Sequence, residues 1–181
     1  MEQVIFMLKR IMFTLMALLA IYSGAVVVYL GNKPELAETN AFAQNNGSTL
    51  YYDTLRDYTL NSGASATHYY FFCTSEDNNC AFVEDTVIRD TERETGLTLS
   101  SLIEYVDITD LVENMDYNRL YTDWTVSSFP AFVAVKNDNG EIKIENTLEW
   151  TDDNPISSQT LTSWLELNKL YNTPAPTSAA Q

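Results

Sequence analysis

Cys73 and Cys80 are the residues of this 181-residue chain best suited to covalent chemistry. Six residues separate them, in a CxxxxxxC pattern. A thiol reacts as its thiolate, so its surroundings decide what it can do. Cys80 stands at the expected start of a helix, where the dipole favours a negative charge. Glu76 and Asp77 place two carboxylates nearby and disfavour one. No Lys or Arg lies between Arg56 and Arg89. The residues alone leave three outcomes open: a structural or regulatory bridge, a redox pair, or two unpaired thiols. A bridge would close an eight-residue loop, worth about 2.5 kcal/mol in chain entropy.

The remaining chemistry-bearing residues are sparse. The lone histidine, His68, precedes Cys73 by about 16 Å of extended chain and is expected at the start of a strand, away from the thiols. One histidine and two cysteines cannot form a four-ligand Cys/His zinc site within one chain. Asp107, Asp110, Glu113 and Asp116 lack the glycine and bidentate-Glu spacing of an EF-hand and read as a solvated acidic face. No glycine-rich phosphate loop occurs, and no motif calls for a cofactor or a metal.

The charge balance narrows the partners. There are 10 Lys+Arg against 25 Asp+Glu, a net charge of -15. Such a chain repels phosphates, so nucleic acid is not an expected partner. Anionic headgroups repel it as well, so any membrane attachment must be hydrophobic. Residues 11–30 (IMFTLMALLAIYSGAVVVYL) carry no charge. As a helix they span about 30 Å, one hydrocarbon core. Lys9 and Arg10 precede them, which leaves residues 1–10 in the cytoplasm and the rest outside. Cleavage at Ala41-Phe42-Ala43 is the competing outcome, although it lies 13 residues past the apolar run. Residues 31–48 read as a linker, 49–172 as the folded domain and 173–181 as a disordered Pro/Ala/Ser tail.

Within 49–172 the pattern predicts α-β-α-β-α-β-β-α. Helices are expected near 50–60, 81–95, 110–120 and 157–170, and strands at 67–72, 102–108, 129–135 and from 142 onward. Phe82, Val83, Val87 and Ile88 would face the core from the second helix, with Glu84 on the solvent side. Strict alternation would put Ile142, Ile144, Leu148 and Trp150 on one face of the last strand. Strands joined through helices are expected to be parallel and the last two antiparallel, in a mixed four-stranded sheet covered on both faces.

Two stretches resemble the thioredoxin-like superfamily. One runs from Trp124 and Val126 through Phe129-Pro130, the apolar strand, Asn139-Gly140-Glu141 and the closing helix. The other is Tyr69-Tyr70-Phe71-Phe72 followed by Cys80. Pro130 matches that family's cis-proline, and Cys80 its second active-site cysteine, while Asp77 stands where the first would be. The resemblance implies an α/β thioredoxin-like domain behind a transmembrane helix. It implies a redox role for Cys73 and Cys80, with Pro130 lining the groove for an exported protein or peptide. The function expected is a membrane-anchored, extracytoplasmic thiol–disulfide oxidoreductase. The alternative is a non-catalytic binding or accessory module with a structural disulfide.

Overall fold

The computed structural model of the chain describes residues 49–172, together with Met12 and Met16. The chain divides into two units, Met1–Glu38 and Thr39–Gln181. The expected membrane segment, linker and tail lie outside the described residues apart from those two helical methionines. Among the described residues no helix is long and apolar enough to cross a membrane.

The domain is built on a five-stranded sheet in the order β1-β3-β2-β4-β5. The strands are β1 (Thr49–Tyr51), β2 (Thr67–Cys73), β3 (Glu104–Asp107), β4 (Ala131–Asp138) and β5 (Glu141–Glu149). The fifth strand corrects the expected four. Leu50 and Tyr51 fit a helical spacing, and three residues are too few to show alternation. They pair in parallel with β3, and the helix α1 begins only at Tyr52 (Tyr52–Asn61).

Strand β2 supplies the core. His68, Tyr70 and Phe72 alternate with Tyr69, Phe71 and Cys73, and residues 70–73 are fully buried. Phe71 stacks on Phe132 at 4.5 Å between ring centres on one face. Tyr70 meets Trp124 edge-on at 5.8 Å on the other, and its hydroxyl shares a 2.8 Å hydrogen bond with Thr59. The first face is covered by the helical run Asn78–Thr95 and by the last helix, Ser158–Leu167. The second is covered by α1 and the segment between β3 and β4.

Strand β4 runs antiparallel to β2, against the expected parallel arrangement. The cause lies in the preceding helix. In place of one helix over 110–120 there are two short ones, Thr109–Glu113 and Asn118–Trp124, parted by Met115 at φ 55°. One long helix would carry the chain to the far end of the sheet. Two pieces of about 7 and 10 Å return it to the end where β3 left off.

Strand β5 departs from strict alternation too. Ala134 pairs with Asn146 but Val135 with Ile144, so Glu145 is an extra residue in β5. A bulge reverses the parity of a strand. Ile142 and Ile144 therefore pack on the α1 face, while Leu148 and Trp150 pack on the opposite face.

The β4–β5 turn follows its sequence. Asn139 and Gly140 take φ 56° and 95°, as a two-residue hairpin turn requires. Buried Asn137 fixes this turn to the end of α1. Its Nδ2 donates to the carbonyls of Leu60 and Gly63, both at 3.0 Å, and its Oδ1 accepts from Gly140 N at 2.9 Å. Asn137→Ala removes all three bonds and leaves the Gly63 carbonyl only its bond from Ala66 N, and urea unfolding should show a loss of roughly 2–4 kcal/mol. A loss near zero would mean that water replaces the amide.

Candidate functional site

Cys73 is the last residue of β2, and Cys80 is the third of the next helix, α2 (Asn78–Phe82). They form a disulfide with Cα atoms 5.7 Å apart, so neither cysteine is free. The local sequence brings them together. Asp77 is extended at φ -99° and caps α2, its Oδ1 accepting from Cys80 N at 2.9 Å. Thr74 N approaches Cys80 Sγ at 3.3 Å, and the Thr74 hydroxyl meets that of Thr109 at 2.8 Å. Asp107 accepts from the amide and hydroxyl of Thr109, and Ile108 N donates to the Cys73 carbonyl at 3.0 Å. The ends of β2 and β3 and the start of α2 are thus laced into one unit. The bridge inside it is closed to solvent: Cys73 is 0% and Cys80 1% exposed.

Pro130 follows a cis bond from Phe129. Phe72 pairs with Ala131, and one step further along that register places Pro130 opposite Cys73. The turn before it is tied to β5. Ser127 N and Ser128 N donate to Glu149 Oε2 at 2.8 and 3.1 Å, and Ser128 Oγ donates to the Trp150 carbonyl at 2.6 Å. Trp150 N in turn donates to the Pro130 carbonyl at 2.9 Å. The structure therefore brings all three predicted site residues, Cys73, Cys80 and Pro130, to one end of the sheet.

Two aromatic pairs flank the turn. Tyr117 stacks on Phe129 at 6.2 Å, and Phe82 meets Trp150 edge-on at 5.9 Å. Phe82 and Tyr117 remain 46% and 45% exposed. Phe82 is thus half open rather than in the core, where its apolar stripe places it, and the sequence pattern gives Tyr117 no role. The available signal for the first was a large aromatic two residues past Cys80, at the end of the short helix that Asp77 caps.

Glu84 corrects another expectation, since it is buried rather than on the solvent side. The run Asn78–Thr95 is interrupted by a π-helical stretch, Val83–Ile88. The wider turn changes the angular phase on which the 3.6-residue stripe was drawn. Burial, with Asp85 beside it, pushes the Glu84 carboxyl up to about 8.

The other candidates fall elsewhere. His68 lies at the far end of β2, its Nδ1 3.1 Å from Glu104 Oε2 and its ring stacked on Tyr70. Tyr58 also donates to Glu104. Among the described residues no His/Cys/Asp/Glu group is arranged to hold a metal ion.

No family model matches the chain, and no curated protein does. Solved structures do. Chlamydomonas reinhardtii thioredoxin f2 is 12% identical over 69% of this chain and 100% of that one, with a TM-score of 0.44. Plasmodium falciparum thioredoxin is 13% identical over 65% and 85%, with a TM-score of 0.39. Trichomonas vaginalis thioredoxin is 12% identical over 67% and 96%, also at 0.39. The sheet, with β1, β2 and β3 parallel, β4 antiparallel to β2 and β5 antiparallel to β4, and the cysteines between β2 and α2 agree with the thioredoxin-like fold that the resemblance implies.

The Glu84 carboxyl gives a prediction. Its folded pKa is raised from 4.5 to about 8, so the folded state holds a proton that the unfolded state has released. Stability is then full below about pH 4.5 and falls as pH rises through 8. The loss is roughly 2–5 kcal/mol. Glu84→Gln should flatten this part of the pH–stability curve and be the more stable protein at pH 8. A wild-type curve level between pH 5 and 8 would contradict it.

Proposed function

We propose that the chain is a membrane-anchored, thioredoxin-like binding module. Its domain lies outside the cytoplasm and holds exported polypeptides in the groove beside Pro130, and Cys73–Cys80 is its structural bridge. The observation that carries this reading is a contrast in exposure. Both sulfurs are shut away while Phe82 and Tyr117, around the same turn, stay open to solvent. Thiol–disulfide exchange requires a thiolate to reach a sulfur, whereas open aromatic surface suits the binding of a polypeptide. Asp77 supports the same conclusion, because a capping carboxylate beside Cys80 N disfavours a Cys80 thiolate. The acidic domain makes nucleic acid an unsuitable partner.

The second reading is a thiol–disulfide oxidoreductase with Cys73 and Cys80 as its redox pair. The position of the bridge favours it: strand end, helix start, opposite Pro130. The reduction potential separates the two. A structural bridge should lie below about -300 mV and show no insulin-reducing activity in the wild type. A higher potential, with activity lost in Cys73→Ser and in Cys80→Ser, would transfer the conclusion to the second reading.

The location rests on Lys9-Arg10 ahead of the uncharged residues 11–30 and on the bridge, since disulfides persist in oxidising compartments. Intact-mass analysis of the membrane fraction should find the uncleaved chain, and protease added to intact cells should digest the domain. A mature chain beginning at Gln44, or a protected domain, would refute the anchored arrangement.

A further inference from the structure

A groove of about 510 Å³ opens between the helical run after Cys80 and the loop that follows β5. Its walls are Phe82, Val87, Trp150, Pro155 and Ile156. Val87 and Ile156 form a buried floor, and half-exposed Phe82 forms one side. Asp90 and Asp152 line it, and no Lys or Arg does. Arg93 pairs with Asp90 at 3.0 Å, but as a 72% exposed partner it neutralises that carboxylate only weakly. Ser157 and Ser158, at the start of the last helix, also line the groove. The reciprocal Ser157–Thr160 capping box occupies two of the amides at that helix end, which weakens its attraction for an anion. Trp150 ties the groove wall to the Pro130 turn, since its amide donates to the Pro130 carbonyl at 2.9 Å.

We propose that this groove receives an apolar side chain flanked by Lys or Arg from the polypeptide lying beside Pro130. This rests on the binding-module reading and names the chemistry of its ligand. The apolar walls take the side chain, and Asp90 and Asp152 attract the flanking cations. An acidic segment is repelled by the same carboxylates and by the domain's net charge.

The test uses the full chain in nanodiscs and fluorescein-labelled peptides GKKLFKKG, GEELFEEG and GKKSSKKG, read by anisotropy. GKKLFKKG should bind saturably, and the other two about tenfold or more weaker. Thr86 also lines the groove, so Phe82→Ser and the groove-filling Thr86→Arg should each weaken GKKLFKKG about tenfold. Asp152→Lys should weaken it about threefold, with the difference vanishing at 1 M salt. Circular dichroism and intact mass confirm the fold and the bridge in each variant. Equal binding of the acidic peptide, or binding unchanged in both groove variants, overturns the proposal. Reduced, alkylated α-lactalbumin serves as a general polypeptide probe. If the chain binds it but none of the peptides, the groove assignment falls and the binding module stands. If it binds neither, both fall.

Discussion

The structure hangs on β2 being buried on both faces. A strand flanked by β3 and β4 has no free edge, and its alternating side chains must satisfy two separate cores. Phe71 and Cys73 commit to one core, and Tyr70 and Phe72 to the other. The β2 aromatics bury most of their surface, and such rings contribute more apolar area than other side chains. That commitment leaves no freedom in register, because a one-residue slip would exchange the two faces. It also fixes where the strand ends. Cys73 is therefore held at a defined height, and Cys80 has to meet it from the first turn of α2.

The positioning of the proline turn follows from two irregularities. The break at Met115 shortens the path from β3 and returns the chain to the cysteine end, so Pro130 enters β4 opposite Cys73. The extra residue at Glu145 then turns Trp150 to the face that carries α2. Without that bulge Trp150 would share a face with Ile142 and Ile144 and could not meet Phe82. A bulge beside a functional surface is a common way to re-aim a side chain. Here it joins the Pro130 turn, β5 and the helix after Cys80 into one surface.

The elements with strong local signals were legible in the sequence. The aromatic run of β2, the Asn139-Gly140 turn, the apolar run of β4 and the closing helix each carry their own local pattern. So did the meeting of Cys73, Cys80 and Pro130, through the resemblance rather than through spacing. What escaped was whatever depends on phase. A three-residue strand has too few positions to declare a period, so β1 merged with the helix behind it. A π-helical stretch and a bulge each shift the count by one residue or a fraction of a turn. Glu84 and Trp150 were both misplaced by extrapolating a regular repeat across such a shift. The direction of β4 was lost for the same reason, since nothing local marks Met115 as a break.

The burial of the bridge and the exposure of the rings around it pull the site toward different chemistries. A disulfide at a helix start is normally reached through the first turn of that helix. Here Asp77 caps that turn, Thr74 N covers Cys80 Sγ, and the Thr74–Thr109 contact ties the covering loop to β3. Exposing a sulfur would break several of these contacts together, so access is tied to local unfolding of the helix start. The Tyr117–Phe129 and Phe82–Trp150 pairs need no such opening, because half of each outer ring already faces solvent. The open part of the site is therefore accessible without the unfolding that the sulfurs require. The bridge beneath it fixes α2 to the sheet and so holds Phe82 in place beside Trp150.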